Sequence, residues 1–469
     1  MKKVLFVLGF LVLLNLACTS VFAEDVVELR MWTHQRHMME LVQDLNEEFN
    51  NTIGEELGIK VTLKVVGENA DQLFQAAQRN DTGPDIFNVP TGYNGFEAEY
   101  NAKAKIYFDE LPGFEEWKAQ WPAWYWEEGL TTWKGHVYAI PVTVYNARII
   151  YNKDLFESAG LDPEKPPVSY AEVREYAKQI TENVPGKYGF AYPGAENWFT
   201  NWMPSQLAEA NGYPVWFDWN TGRFNMVNFY DFFKLILDIH KDGSLFPGAT
   251  SLGNDPLRAQ FAAGNIGMFM AESWDVGVLN DQFPAECEWG VAVAPTVSGE
   301  FEGRTRAMSS PGLWSINGMS QHKEEAWEVV KWYNQYEVRA RFYEEGKTIP
   351  PDAEVLEYAT KEPEADGFAE FAETVDEYDY LATYPNYPGF VNPSENPCDV
   401  MNAILAKDGS AEELKEELER VDKVWNDALD EFYEENPDVE RGWNIYPDFD
   451  REEDADRGEP LVPVGETKD

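Results

Sequence analysis

Strand-like and helix-like patterns alternate near the start of the chain, and this alternation constrains the fold more than any other feature. Residues 26–32 form a short apolar run, and apolar positions within 38–49 recur on one helical face. Apolar and polar residues alternate in 59–65, a helical pattern covers 72–78, and residues 85–87 begin a third apolar strand. The order β-α-β-α-β predicts an α/β fold with a mainly parallel sheet and helices on both faces. Ligands of such folds bind outside the carboxyl ends of the strands.

Later segments continue the mixture of helices and strands. The apolar face in 324–338 predicts a helix, and apolar residues in 414–432 step by three and four, as in a long amphipathic helix. Segments 361–379 and 433–457 are acidic and irregular, and residues 456–469 form an acidic tail. We interpret these charged stretches as solvated surface.

The N-terminus has the three parts of a secretory signal. Two lysines precede an apolar run over 4–14, and small residues end at Ala23. The run is too short to span a bilayer, so we expect residues 1–23 to be a signal peptide cut after Ala23. The alternative is lipidation at Cys18, which follows an imperfect lipobox. Either route places the protein in the periplasm or at the outer face of the cytoplasmic membrane.

Size and charge narrow the class of protein further. A chain of 469 residues is too long for one ordinary core and suits two lobes. A net charge of −47 argues against nucleic-acid or anionic-lipid partners and otherwise indicates solubility. Cys287 and Cys398 lie far apart in the sequence, and export permits a disulfide without establishing one.

Five motifs occur in a fixed order along the chain. They are Thr82-Gly83-Pro84-Asp85-Ile86; Tyr138-Ala139-Ile140-Pro141 with Ile150-Tyr151-Asn152-Lys153-Asp154-Leu155-Phe156; Ala263-Gly264-Asn265-Ile266-Gly267-Met268-Phe269-Met270 with Glu272-Ser273-Trp274; Val291-Ala292-Val293-Ala294-Pro295; and Gly312-Leu313-Trp314-Ser315-Ile316-Asn317. Together they resemble the signature of family 1 extracellular solute-binding proteins, the sugar-binding components of bacterial ABC importers, which include the maltose-binding protein. The resemblance covers roughly residues 26 to 430.

This resemblance implies a two-lobed periplasmic-binding-protein fold whose hinge crossings let the lobes close on a ligand. We expect the first lobe to comprise 24–142 and 307–380, and the second 143–306 and 381–455. The implied function is to bind a carbohydrate, favoured as an oligosaccharide, between the lobes and deliver it to the membrane permease of an ABC importer. It requires no catalytic residue, metal or cofactor, and we expect a monomer without a nucleic-acid partner.

The first candidate ligand contacts follow the first strand and are Trp32, His34, Arg36 and His37. Planar polar groups suit the hydroxyl edges of a sugar, and aromatic rings suit its flat C–H faces. Three of these four residues could carry positive charge, which departs from the family pattern. The cluster therefore supports an alternative ligand, an acidic sugar such as a uronate oligomer. The spacing of His34, His37 and Glu40 also allows a metal site, which we do not favour.

The other candidates are positions that the resemblance places at the cleft. They are Asn88, Tyr93 and Asn94 after a strand; Tyr145 at the first crossing; Trp198 and Trp202 in a second-lobe aromatic segment; Glu272, Trp274 and Asp275 after another strand; Gly312 and Trp314 at the return crossing; and Tyr384 in a late loop. Trp274 is the strongest of them, because its strand is expected to point at the cleft.

Two other classes of function are weaker. A secreted glycoside hydrolase needs two carboxylates, but the 84 acidic residues supply carboxylates without indicating any geometry. The sequence has no Ser nucleophile elbow, phosphate-binding glycine loop or HExxH motif. A binding protein for another solute, such as a polyamine, a sugar phosphate or a metal, is the second alternative.

Overall fold

The computed structural model describes residues 26–67, 69–93, 96–126, 131–213, 217–218, 221–300, 308–309, 312–372 and 390–437. The expected signal peptide, its cysteine at position 18 and the acidic tail lie outside these residues. None of the helices in the described ranges combines the length and apolar character needed to cross a bilayer.

Strands and helices intermix throughout the described chain. The strands are β1 (Val27–Thr33), β2 (Ile59–Val65), β3 (Ile86–Asn88), β4 (Thr132–Trp133), β5 (His136–Val137), β6 (Val144–Tyr145), β7 (Arg148–Asn152), β8 (Tyr188–Phe190), β9 (Phe217–Asp218), β10 (Arg223–Phe224), β11 (Ile266–Ala271), β12 (Trp289–Val293), β13 (Met308–Ser309) and β14 (Ser315–Ile316). The helices are α1 (Met39–Asn51), α2 (Ile53–Leu57), α3 (Ala70–Arg79), α4 (Phe96–Asn101), α5 (Phe114–Lys118), α6 (Lys153–Ala159), α7 (Tyr170–Asn183), α8 (Asn197–Ala210), α9 (Tyr230–Lys241), α10 (Asn254–Ala262), α11 (Trp274–Gly277), α12 (Lys323–Tyr333), α13 (Tyr336–Glu344), α14 (Phe368–Ala372), α15 (Pro397–Ala406) and α16 (Ala411–Glu435).

The first sheet has the strand order β14-β3-β1-β2 and, with its helices, forms lobe I. β1 runs parallel to β2, from Val27 opposite Ile59 to Thr33 opposite Val65, and also parallel to β3. β14 joins antiparallel beside β3. Helices α1 and α12 cover one face of the sheet and α3 covers the other. The predicted β-α-β-α-β order with helices on both faces is confirmed.

The second sheet has the order β12-β7-β11-β8 and, with its helices, forms lobe II. β7 is antiparallel to both β11 and β12, whereas β8 is parallel to β11. Every residue of β7 and β11 is buried; β11 is a continuous run of apolar residues and glycine, whereas β7 begins with the buried Arg148 and ends with the buried Asn152. Helices α7, α9, α15 and α16 pack on one face, and α10 and α14 pack on the other.

Three passages of the chain meet between the lobes. β6 pairs with β13, with Tyr145 opposite Met308, and Val144 N donates to Ile349 O at 2.8 Å. Phe368 and Phe371 of α14 are buried in the core of lobe II. The chain therefore contributes to lobe II before the expected limit at residue 381, because these two rings bury against that core.

The long helix α16 confirms the amphipathic pattern near the end of the chain. A capping box begins the helix: Ser410 Oγ accepts from Glu413 N, and the Glu413 carboxylate accepts from Ser410 N. Its apolar stripe, from Leu414 to Phe432, is buried in lobe II. No disulfide joins the two described cysteines: Cys287 Sγ lies 3.8 Å from a backbone oxygen in α10, and Cys398 Sγ lies 3.5 Å from Gly194 O.

Candidate ligand-binding site

A cavity of about 210 Å³ lies at the carboxyl ends of β1 and β3, against the crossings between the lobes. This is the edge at which open α/β sheets bind ligands. Its lining residues are His34, Gln35, Phe87, Asn88, Val89, Pro90, Lys105, Val142, Thr143, Tyr145, Gly312, Leu313 and Ser315. Four of the predicted contacts therefore line one cavity: His34, Asn88, Tyr145 and Gly312.

His34 and Asn88 are brought together by the parallel register of their strands. Thr33, the last residue of β1, lies opposite Asn88, the last residue of β3. His34 Nδ1 lies 2.5 Å from Asn88 O, and since a carbonyl oxygen only accepts, Nδ1 carries the proton. Burial lowers the pKa of His34, which favours the neutral ring, and Nε2, 3.5 Å from Gln35 Nε2, is then the acceptor nitrogen.

Asn88 also contributes a side-chain acceptor to this region. Its Oδ1 is buried and receives no hydrogen bond from the residues that the structure describes. A buried acceptor without a donor costs on the order of 1–3 kcal/mol. A ligand that donates to Asn88 Oδ1 would remove this cost.

Arg36 and His37 do not form the cationic cluster that the sequence suggests. Arg36 Nη2 pairs at 2.5 Å with Asp255 Oδ2 of lobe II. His37 packs against Gly277, with its Nε2 buried, and burial together with the charges of Lys347 and Arg258 lowers its pKa to about 3. Of the three residues that could carry positive charge, only His34 lines the cavity, so the structure does not bring three cationic groups to face a ligand there.

Tyr145 and Trp274 place two aromatic rings beside the cavity. Their ring centroids lie 4.8 Å apart in an edge-to-face arrangement, and Tyr145 lines the cavity itself. Trp274 is half-buried and begins α11, directly after β11. The predicted position of Trp274, at the end of a strand that points to the crossings, is thus observed.

Glu272 and Asp275 lie beneath Trp274 and are fully buried. Gln206 Nε2 donates to Glu272 Oε1 at 2.6 Å, and the indole of Trp202 also lies within hydrogen-bonding reach of the carboxyl group. Burial, reinforced by Asp275, raises the pKa of Glu272 well above its ordinary value, which favours the protonated acid. Asp275 accepts from Glu272 N at 2.9 Å and pairs with Arg258 at 2.6 Å. The Asp275 carboxylate thus holds the turn that carries Trp274, and the Glu272 carboxyl group ties this turn to α8.

The remaining predicted contacts have other surroundings. Trp32 is buried in the lobe I core, with Lys64 Nζ 4.0 Å from its ring centroid. Trp314 packs in the same lobe, 5.3 Å from the ring of Tyr333, and does not line the cavity. Trp202 is half-buried on α8, and Tyr93 is 37% exposed. The side chain of Trp198, and Asn94 and Tyr384 entirely, lie outside the described residues.

Several lining residues are not among the predicted contacts. Lys105 follows α4, and its Nζ pairs at 2.9 Å with Glu99 Oε2. Thr143, just before β6, and Ser315, which belongs to the fifth motif and begins β14, meet only in the folded chain. Thr143 follows the Pro141 motif by two residues, which is the one hint the sequence held for it.

Comparisons with known proteins agree with this architecture. The family described as bacterial extracellular solute-binding protein matches residues 37–340. A binding protein of Brucella abortus (strain 2308) is 26% identical over 230 residues, 47% of this chain and 52% of that relative, so the chain spans about half the length of this relative. The sn-glycerol-3-phosphate-binding periplasmic protein UgpB of the same strain is 26% identical over 339 residues, 66% of this chain and 71% of UgpB.

Solved structures share the two-lobed fold. The GacH receptor of Streptomyces glaucescens, determined without ligand and with acarbose, matches with a TM-score of 0.67 at 18% identity and covers 86% of this chain and 98% of its own. The substrate-binding protein Lmo0181 of Listeria monocytogenes, in complex with cycloalternan, matches with a TM-score of 0.63 at 16% identity and covers 85% and 99%. Because the family match extends over more than half of the 469 residues, the chain belongs to the bacterial extracellular solute-binding proteins.

Proposed function

We propose that this protein is the extracytoplasmic substrate-binding component of an ABC importer and binds a carbohydrate between its lobes. The observation that carries the proposal is the cavity at the carboxyl ends of β1 and β3, which polar residues of the strand ends and the crossings line. Asn88 Oδ1 is buried without a partner within the described chain, and His34 Nε2 lies at the long distance of 3.5 Å from Gln35 Nε2. Sugar hydroxyl groups supply donors for acceptors of this kind.

The surroundings of residues 34–37 favour a neutral sugar over an acidic one. Burial lowers the pKa of both His34 and His37, and the guanidinium of Arg36, which does not line the cavity, is paired with Asp255. A ligand carboxylate would face the acceptors of His34 and Asn88, whereas a hydroxyl group can both donate and accept. This removes the argument for a uronate that rested on residues 34–37.

The aromatic pair extends the site beyond the cavity. A volume of about 210 Å³ is below the roughly 300–1,000 Å³ of pockets that enclose a drug-sized ligand. We assign the cavity to one sugar unit and the rings of Tyr145 and Trp274 to the face of an adjoining unit, which suits an oligosaccharide. The acarbose and cycloalternan of the two structural relatives support a saccharide of this kind.

A thermal-shift screen followed by calorimetry on the mature protein tests this function. Probes are raffinose, maltotriose, acarbose, cycloalternan, D-galacturonate and sn-glycerol-3-phosphate, the last because UgpB is a relative. A ligand that binds only the folded state raises the unfolding temperature. Stabilisation by a neutral saccharide is the expected result. Stabilisation by the acidic probes alone, or steady release of saccharide products, would overturn the proposal.

Export and delivery belong to the same proposal. We infer cleavage after Ala23 or lipidation at Cys18, a monomer in solution, and recognition of the closed form by a membrane permease. The intact mass of the protein isolated from its host distinguishes the two processing routes, since a Cys18→Ser variant abolishes lipidation and leaves cleavage after Ala23 unchanged.

A further inference from the structure

Lys105 is the one charged side chain among the described residues that line the cavity. Its ammonium pairs with Glu99 at 2.9 Å, and the side chains of the two residues are 25% and 11% exposed. Glu99 does not line the cavity, so its carboxylate lies on the side of the ammonium that faces away from the cavity. The Lys105 ammonium carries three N–H groups, so those that Glu99 does not engage can donate to a ligand.

The surrounding chain holds this ion pair in place. Glu99 Oε1 accepts from Thr91 Oγ1 at 2.6 Å, so both carboxylate oxygens are engaged. Ala104 N donates to Glu99 O at 2.8 Å, and Ile106 N donates to Ile316 O at 3.3 Å. The residues on either side of Lys105 are thus anchored, one to α4 and one to β14.

We propose that Lys105, positioned by Glu99, determines the specificity of the site for uncharged sugars. This inference rests on the proposed carbohydrate-binding function and identifies the residues that discriminate between neutral and acidic sugars. The ammonium donates to a hydroxyl oxygen of the sugar. Glu99 balances the positive charge, so that a sugar carboxylate gains little from Lys105 while it faces the acceptors of His34 and Asn88.

The test removes the negative charge of Glu99. Glu99→Gln keeps the size of the side chain and an oxygen acceptor for Lys105, but it leaves the ammonium uncompensated. Binding of D-glucose and D-glucuronate, which differ in one oxidised carbon, is measured by ligand-observed NMR titration for the wild type and each variant. We expect Glu99→Gln to bind glucuronate at least about tenfold more tightly than the wild type does, because charge-assisted hydrogen bonds are the stronger class. Adding Lys105→Met to this variant should remove the gain.

Thr91→Val is the matched control, because it removes one hydrogen bond from Glu99 and keeps both charges. It should retain the wild-type ratio of glucose to glucuronate affinity, and thermal melts of all variants establish that they fold. Unchanged glucuronate affinity in Glu99→Gln, or a gain that survives Lys105→Met, would overturn the inference. If no neutral saccharide binds the wild type, the proposed function fails, and the glucuronate titration of Glu99→Gln still decides the role of the ion pair.

Discussion

Arg36 and Asp255 join the two lobes directly, with Arg36 Nη2 2.5 Å from Asp255 Oδ2. Arg36 follows β1 of lobe I, and Asp255 lies in the first turn of α10 in lobe II. Arg258 extends the network to Asp275, the residue after Trp274. Charged side chains thereby connect the contact between lobes with the turn that carries a proposed sugar-binding ring.

Replacing Arg36 with Gln should weaken saccharide affinity about 1.4- to fivefold, because exposed ion pairs contribute roughly 0.2–1 kcal/mol. The pair stabilises the arrangement in which the lobes meet, and salt should reduce its contribution. Calorimetry at low and high salt measures both effects. The swapped pair, Arg36→Asp with Asp255→Arg, should recover part of the affinity. Wild-type affinity of Arg36→Gln at low salt would contradict this role.

His37 should make the protein less stable in acid. Its pKa is lowered from the ordinary 6.5 to about 3, so between pH 6.5 and pH 3 His37 is protonated in the unfolded chain but not in the folded chain. The contribution of His37 is complete above pH 6.5 and is lost as the pH falls toward 3. Urea unfolding at pH 7 and pH 5 should show a loss of at most about 2 kcal/mol that His37→Gln lacks. His136→Gln, which changes a more exposed histidine, should keep the loss.

The sequence predicts which strand ends form the site better than it predicts the charge of the side chains there. Strand order places His34 and Asn88 at one edge of the sheet, and a motif places Trp274 after a buried strand; the structure shows both. The neutrality of His37 has no local signal, because its burial comes from Gly277 in the other lobe. An apparent cationic cluster in the sequence therefore becomes an ion pair and a buried imidazole between the lobes.

Lys105 shows the same limit for the cavity lining. No sequence pattern distinguishes a lysine that follows a short helix. The position of Lys105 at the cavity depends on its ion pair with Glu99 and on the backbone hydrogen bond from Ile106 to Ile316, which belongs to a strand 210 residues later in the chain. Trp314 shows the opposite case. The sequence assigns it to the cleft, but its ring packs in the core of lobe I, whereas its neighbours Leu313 and Ser315 line the cavity.

Glu272 should change stability with pH in the opposite direction from His37. Burial raises its pKa well above 4.5, so the folded chain keeps a proton that the unfolded chain releases. Stability should therefore fall as the pH rises from about 4.5 through the folded pKa. Glu272→Gln removes the titrating group, and its unfolding temperature should decline less between pH 5 and pH 8 than that of the wild type. The exposed Glu286→Gln should follow the wild type; equal slopes for all three proteins would show that Glu272 is not protonated.

Trp274 should contribute more to binding than to folding. Trp274→Ala removes a half-buried ring beside the cavity, and we expect a roughly tenfold rise in the dissociation constant of the bound saccharide. Tyr145→Phe keeps the ring and should have a smaller effect than Tyr145→Ala. Tyr358→Ala, which truncates a 40% exposed ring of lobe I, is the control and should leave affinity unchanged. An unchanged dissociation constant for Trp274→Ala would remove this ring from the site.

Gly312 and Gly135 provide a matched test of the return crossing, because both have φ of +80°. A side chain is strained at this φ, and Ala should cost about 1 kcal/mol at either position. A Cβ on Gly135 meets open space, whereas a Cβ on Gly312 would lie 3.2 Å from Ile140 O and 3.3 Å from Ile140 N.

Backbone atoms at a crossing have little room to move, so we expect Gly312→Ala to lose about 1–3 kcal/mol more than Gly135→Ala in urea unfolding. Since Gly312 also lines the cavity, saccharide affinity should fall in Gly312→Ala and stay unchanged in Gly135→Ala. Equal losses of stability in the two variants would mean that the crossing relaxes around a methyl group. In that case the close approach of Gly312 to Ile140 would not be what keeps the wall of the cavity in position.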